Sequence, residues 1–246
     1  LGEYAERVIN SPGEPGVIYL MGAGFATPVG AGTANGSTLT RLREQAISRN
    51  RRLVARINPH LGNVTIDYDR DVTPLSPGGC PTERHIIRAY ATRAAAVFHD
   101  VAARVTFWSG ILGQPPEAVA RFLGNPAMLE EKIRARLAKK GGVGYDPPSP
   151  AGFPPAADFI AWVRACAAIP MFAWLDGSSD GEAKPLALLK CLRAMGVAAV
   201  NIIPERNWNF GDPAVQAAKI TKLREFVATA EALDMPINIG TEMNKD

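Results

Sequence analysis

The stretches Ile169-Pro-Met-Phe-Ala-Trp174, Ala198-Ala-Val-Asn-Ile-Ile203 and Pro236-Ile-Asn-Ile-Gly240 are short runs rich in β-branched and aromatic residues, and each follows a longer segment of helical character. Those helical segments run from about Pro155 to Ala167, from the residues after Trp174 to Met195, and from Pro213 to Leu233. Strand and helix alternating at this spacing predict a parallel sheet with helical crossovers. The last helix is the clearest. Asp212 caps it, Pro213 sits in its first turn, and Val215, Ile220, Leu223, Phe226, Val227, Ala230 and Leu233 approximate one apolar face that reads as core.

Upstream, Gly141-Gly-Val-Gly-Tyr-Asp-Pro-Pro-Ser-Pro-Ala-Gly152 is too rich in glycine and proline for regular structure and divides the chain into two halves. In the first half, Val17-Ile-Tyr-Leu-Met21 reads as a buried strand and Gly22 to Gly32 as a loop. That loop lacks both the third glycine of a dinucleotide fingerprint and the GK[ST] of a P-loop, so its glycines are read as turning the chain. Ser37 or Thr38 can cap a helix through about Ile57, and Val64-Thr-Ile-Asp-Tyr68 alternates like a short strand. Residues 82–140 carry several helical patterns and no convincing strand, which reads as a mostly helical insertion.

With 246 residues and 47% hydrophobic content, the chain can bury one large core, and a single domain over residues 1–246 is expected. No apolar run approaches the roughly 18–20 residues that cross a bilayer, and the opening LGEYAERVIN carries no leader pattern, so a soluble, cytoplasmic protein is expected, with no membrane partner. The chain opens at Leu1 rather than methionine and stops soon after a strand, so it is expected to be a portion of a longer product. Cys80, Cys166 and Cys191 lack the spacing of a zinc knuckle. Net charge is only +3, and the arginine-rich stretch from Arg41 to Arg56 reads as a solvated helix face rather than an anion site.

In parallel β/α folds functional groups gather outside the carboxyl ends of the strands. There the chain places Asp176 in Asp-Gly-Ser-Ser-Asp-Gly, Glu205-Arg206-Asn207-Trp208, and Glu242-Met-Asn244. Carboxylates from separate strands can hold a hard cation or act as acid and base, and they can equally cap the following helices. The first of these stretches is no calcium loop, because Ala187 stands where a bidentate glutamate is needed. Arg206, Asn207 and Trp208 combine a fixed cation, an amide and an aromatic plane, which suits a phosphate or a sugar; a surface Glu-Arg pair over a packed Trp208 is the plain alternative. His85 lies in Thr82-Glu-Arg84-His85, with Arg84, at a helix start, where capping competes with chemistry. Only 3 histidines are present, without HxH or HExxH, so metal held by these residues alone would favour oxygen ligands.

The order of six stretches, Ile9-Asn-Ser-Pro-Gly-Glu-Pro-Gly, Tyr19-Leu-Met-Gly-Ala-Gly-Phe, Thr82-Glu-Arg-His, Ala173-Trp-Leu-Asp-Gly, Asn201-Ile-Ile-Pro-Glu-Arg-Asn-Trp and Gly240-Thr-Glu-Met-Asn, resembles the PHP (polymerase and histidinol phosphatase) family, in its bacterial members with a helical insertion. The resemblance implies an α/β fold of the distorted (β/α)7 barrel type, here partial. It also implies hydrolysis of phosphate esters at a site of divalent Mg, Mn or Zn, with further ligands outside this chain. On this footing the metal ligands are Asp176, Glu242 and Asn244, the catalytic groups His85, Glu205 and Arg206, and the substrate contacts Arg84, Trp174, Asn207 and Trp208. The chain departs from the family in lacking the opening HxH strand, in carrying Leu20 and Trp174 where histidines stand, and in ending Glu242-x-Asn244 rather than Asp-x-His.

Two readings follow. One is a metal-dependent phosphoesterase with a substituted site, in which metal-bound water attacks phosphorus. The other is a catalytically degenerate PHP-like domain that binds a small phosphorylated molecule or a protein partner. The near-neutral charge and few aromatics argue against nucleic acid.

Overall fold

The computed structural model describes residues 2–11, 13–149 and 152–240. The chain forms two compact units, Leu1–Thr40 with Pro154–Asp246, and Arg41–Phe153. The expected helical insertion at 82–140 lies within the second unit.

The second unit holds most of α1 (Ala34–Ile57) together with α2 (Glu83–Val97), α3 (Val101–Leu112), α4 (Pro116–Leu123) and α5 (Pro126–Leu137). Leu53 and Ile57 of α1, Ile86 and Tyr90 of α2, Trp108 of α3 and Ile133 of α5 share one core. Tyr90 is buried, and its hydroxyl donates to Asn58 Oδ1 at 2.9 Å. Val64-Thr-Ile-Asp-Tyr68, expected as a strand, joins no strand among the described residues; the Asn58 side chain takes both backbone groups of Ile66 instead, accepting from its amide at 3.1 Å and donating to its carbonyl at 2.9 Å. Val64, Ile66 and Tyr68 bury one side into this helical core, and the chain then tightens into a helical turn over Tyr68–Val72. Asp67 closes that turn by accepting from the Arg70 amide at 2.9 Å. Period-2 burial can thus be satisfied against helices, with no ladder partner.

The first unit holds β1 (Leu20–Ala23), α6 (Ala156–Ala165), β2 (Ile169–Trp174), α7 (Pro185–Ala194), β3 (Ala199–Ile202), α8 (Pro213–Ala232) and β4 (Ile237–Ile239). The sheet runs β1-β2-β3-β4. β2, β3 and β4 are parallel, with Phe172 opposite Val200 and Val200 opposite Ile237, while β1 lies antiparallel to β2 with Leu20 opposite Phe172. Four strands in open, mixed order overturn the expected (β/α)7 barrel. The three α/β repeats form as read, but the other runs do not supply the parallel strands that closure needs. β1 also starts later than Val17, because the Val17 amide closes a turn onto the Glu14 carbonyl. Asn10, fully buried, then acts as a splice: its Oδ1 accepts from the Tyr19 amide at 2.7 Å, and its Nδ2 donates to the carbonyls of Tyr19 and Ala173.

The sheet face bearing Phe172, Trp174, Val200 and Ile202 packs against Leu188, Leu189 and Leu192 of α7 and Phe226 and Ala230 of α8. Each helix that feeds a parallel strand ends in the same corner. The amides of Ala168, Val197 and Met235 donate back to the carbonyls of Val163, Leu192 and Ala230, and the residue just before each donor, Ala167, Gly196 or Asp234, has positive φ. This hydrogen bond over a left-handed residue, with buried side chains at both ends, is the Schellman termination of a helix.

Candidate functional site

The loop leaving β2 folds around Glu182. This side chain is 2% exposed, and its carboxylate accepts from three successive backbone amides: Leu175 at 2.8 Å, Asp176 at 3.2 Å and Gly177 at 3.0 Å. Burial pushes the Glu182 carboxyl above its ordinary value, the nearby Asp176 charge adds to this, and the three amides offset it only in part. A concavity of converging N–H groups is a ready anion site, and here the chain fills it with its own carboxylate.

Asp176 is also engaged. One oxygen pairs with Lys219 of α8 at 2.7 Å, and the other accepts from the amide and hydroxyl of Ser178. Burial, the largest single influence, raises its carboxyl, but the Lys219 and Ser178 bonds together hold it below the usual carboxylate range. As a metal ligand Asp176 does not fit as it stands, since a cation would have to displace Lys219. Glu242 and Asn244, the other two expected ligands, lie outside the described residues. Among the described residues no three His, Cys, Asp or Glu side chains gather as a metal site.

Trp174 is 1% exposed and stacks on Phe226, so it is part of the core rather than a substrate contact. Asn207 is fully buried and clamps the two strand ends: its Nδ2 donates to the carbonyls of Leu175 at 3.0 Å and Ile203 at 2.9 Å. Glu205 faces solvent, Arg206 is half-buried, and Trp208 is 53% exposed. Gln216 of α8 holds this loop by donating to the Trp208 carbonyl. Arg84 and His85 belong to the helical unit. His85 Nδ1 accepts from the Thr82 amide at 2.9 Å, completing a capping box at the start of α2, and Arg84 lies 3.8 Å from Glu131.

Sequence reading missed Glu182, Lys219 and Lys222. The lysines were legible in principle. Gln216, Lys219, Lys222 and Phe226 recur at helical spacing on α8, and the row engages in turn the Trp208 carbonyl, Asp176, the Gly177 carbonyl and Trp174. Glu182 carries no local signal, since what recruits it is the shape of the preceding turn.

The chain matches no family model, no curated protein and no solved structure. No helix among the described residues is long and apolar enough to cross a membrane.

Proposed function

We propose that the sheet-bearing unit is a binding domain for a small phosphorylated molecule, engaged by the loop after β3, and that it carries out no hydrolysis. One observation supports this reading above the rest: the carboxylates at the end of β2 are committed internally, Glu182 to three backbone amides and Asp176 to Lys219. A hydrolase needs such groups available for a metal or a proton. The loop after β3 carries Arg206 and, two residues on, the exposed Trp208, a cation and an indole of the kinds that suit a phosphate carried on a flat or sugar-like body.

The test is a paired measurement on the full chain with aryl and alkyl phosphomonoesters and a phosphodiester, in the presence of Mg, Mn or Zn. Saturable binding without turnover is expected, and Arg206→Ala and Trp208→Ala should each weaken binding by about tenfold. Metal-dependent turnover that Asp176→Asn abolishes would overturn the proposal in favour of the phosphoesterase reading.

A further inference from the structure

The three Schellman corners meet around a cleft of about 470 Å³ at the amino ends of β2, β3 and β4, the opposite end of the sheet from the loop after β3. The corners of α6 and α7 place an arginine at equivalent positions, each just after the buried anchor of its corner: Arg164 after Val163, and Arg193 after Leu192. Both line the cleft, together with Asp234. The Arg193 guanidinium donates to the Leu233 carbonyl at 2.7 Å with one nitrogen, which leaves most of its donor fork unused. Arg164 lies across Gly196, its Nη1 3.2 Å from where a Cβ would stand, and makes no side-chain hydrogen bond or ion pair among the described residues.

Arginines near helix ends ordinarily satisfy the terminal carbonyls and the helix dipole. Here that demand is largely met elsewhere. The carbonyls of Val163, Leu192 and Ala230 accept the corner amides, and the Leu233 carbonyl needs only one Arg193 nitrogen. Two cationic forks therefore face a cleft backed by buried Val197 and Met235. The chemistry that matches two guanidinium groups is a compact oxyanion. Asp234 also lines the cleft, and a carboxylate there would accept from an anion that itself carries a donor.

We propose that this cleft is a second binding site, for hydrogen phosphate or a phosphorylated small molecule bearing a hydroxyl, held by Arg164 and Arg193 and discriminated by Asp234. It is separate from the loop after β3 and stands or falls without it.

The experiment follows the backbone amides of Gly196, Val197 and Met235 by NMR while the labelled full chain is titrated, at constant ionic strength, with inorganic phosphate and in parallel with sulfate. Sulfate matches the size and charge of hydrogen phosphate but has no proton to give Asp234. Saturable shifts are expected with phosphate, with weaker binding of sulfate. Arg164→Gln should raise the phosphate Kd about tenfold, while Arg206→Ala leaves it unchanged. Arg193→Lys keeps a donor for Leu233 and should also weaken phosphate, because the fork is lost. Asp234→Asn should erase the preference over sulfate. Absence of saturation with phosphate, an unchanged Kd in Arg164→Gln, or equal affinity for sulfate in the wild type would each overturn the proposal.

Discussion

The indole of Trp174 and the ring of Phe226 stack with centroids 4.5 Å apart and planes 11° from parallel. The pair ties the last residue of β2 to the middle of α8, and so fixes the point from which the Leu175–Gly177 turn departs. Both rings are essentially inaccessible. Phe226→Ala should therefore cost about 3–5 kcal/mol, the range for emptying a buried aromatic site, and Phe226→Leu distinctly less. Chemical denaturation monitored by tryptophan fluorescence checks this, and a loss below about 1 kcal/mol for the alanine variant would contradict the packing described.

Glu182 supplies a second test. Glu182→Gln puts an amide group among three backbone donors that need acceptors, and should cost roughly 1–3 kcal/mol. The pH dependence has a definite sign. The folded-state carboxyl is raised above the ordinary 4.5, so the contribution linked to its ionisation is fully present below that value and lost as pH rises through the folded-state value. The stability difference between wild type and Glu182→Gln should shrink as pH climbs from acid toward neutral. A difference that grows over that interval would mean that the three amides outweigh burial.

Asp176 behaves in the opposite sense. Its folded-state carboxyl lies below the ordinary 3.8, so its contribution is present above that value and lost as pH falls through the folded-state one. Asp176→Asn keeps an acceptor for Ser178 but loses the Lys219 pair, and should cost roughly 1–3 kcal/mol at neutral pH. Unfolding midpoints of the two proteins should converge in strong acid. A constant offset across the range would show that the ion pair adds nothing.

What the sequence made legible follows from how local each signal is. The three α/β repeats announce themselves because a short, continuous apolar run, buried throughout β3 and in β2 after Ile169, and a helix of 3.6 periodicity each need only a few residues of context. β1 and the Val64–Tyr68 segment carry strand-like patterns too, but pairing is a non-local property. Val64, Ile66 and Tyr68 found their burial among helices, and β1 paired antiparallel after Asn10 took over the polar groups of Tyr19. On α8 the apolar list ran too far: Val215 is 40% exposed, because the first half of the helix meets polar loops rather than core. At the candidate site the residue types were visible and their partners were not. Asp176 and Asn207 are engaged by Lys219 and by the Leu175 carbonyl, neighbours that only the folded chain brings near, whereas His85 makes the local capping bond with Thr82 that its place at a helix start allows.

The corners offer the last test, because three equivalent positions hold three different residues. Ala167 and Asp234 both sit at φ 53° and Gly196 at φ 101°. A left-handed conformation costs an L-residue roughly 1–2 kcal/mol, and the extra chain entropy of glycine returns roughly 0.5–1 kcal/mol of any gain from replacing it. Ala167→Gly should therefore stabilise the protein by about 0.5–1 kcal/mol. Asp234→Gly should gain less, since a short polar side chain tolerates this region better than alanine does. Gly196→Ala must move the other way, by about 0.5–1 kcal/mol from the backbone alone, and further if Arg164 and Ile160 cannot give way, because the new Cβ would stand 3.2 Å from both the Arg164 Nη1 and the Ile160 Cγ2. Thermal and denaturant unfolding of the three variants read out the order. If Ala167→Gly proved destabilising, the left-handed corner would not be a source of strain, and the equivalence drawn among the three corners would fail.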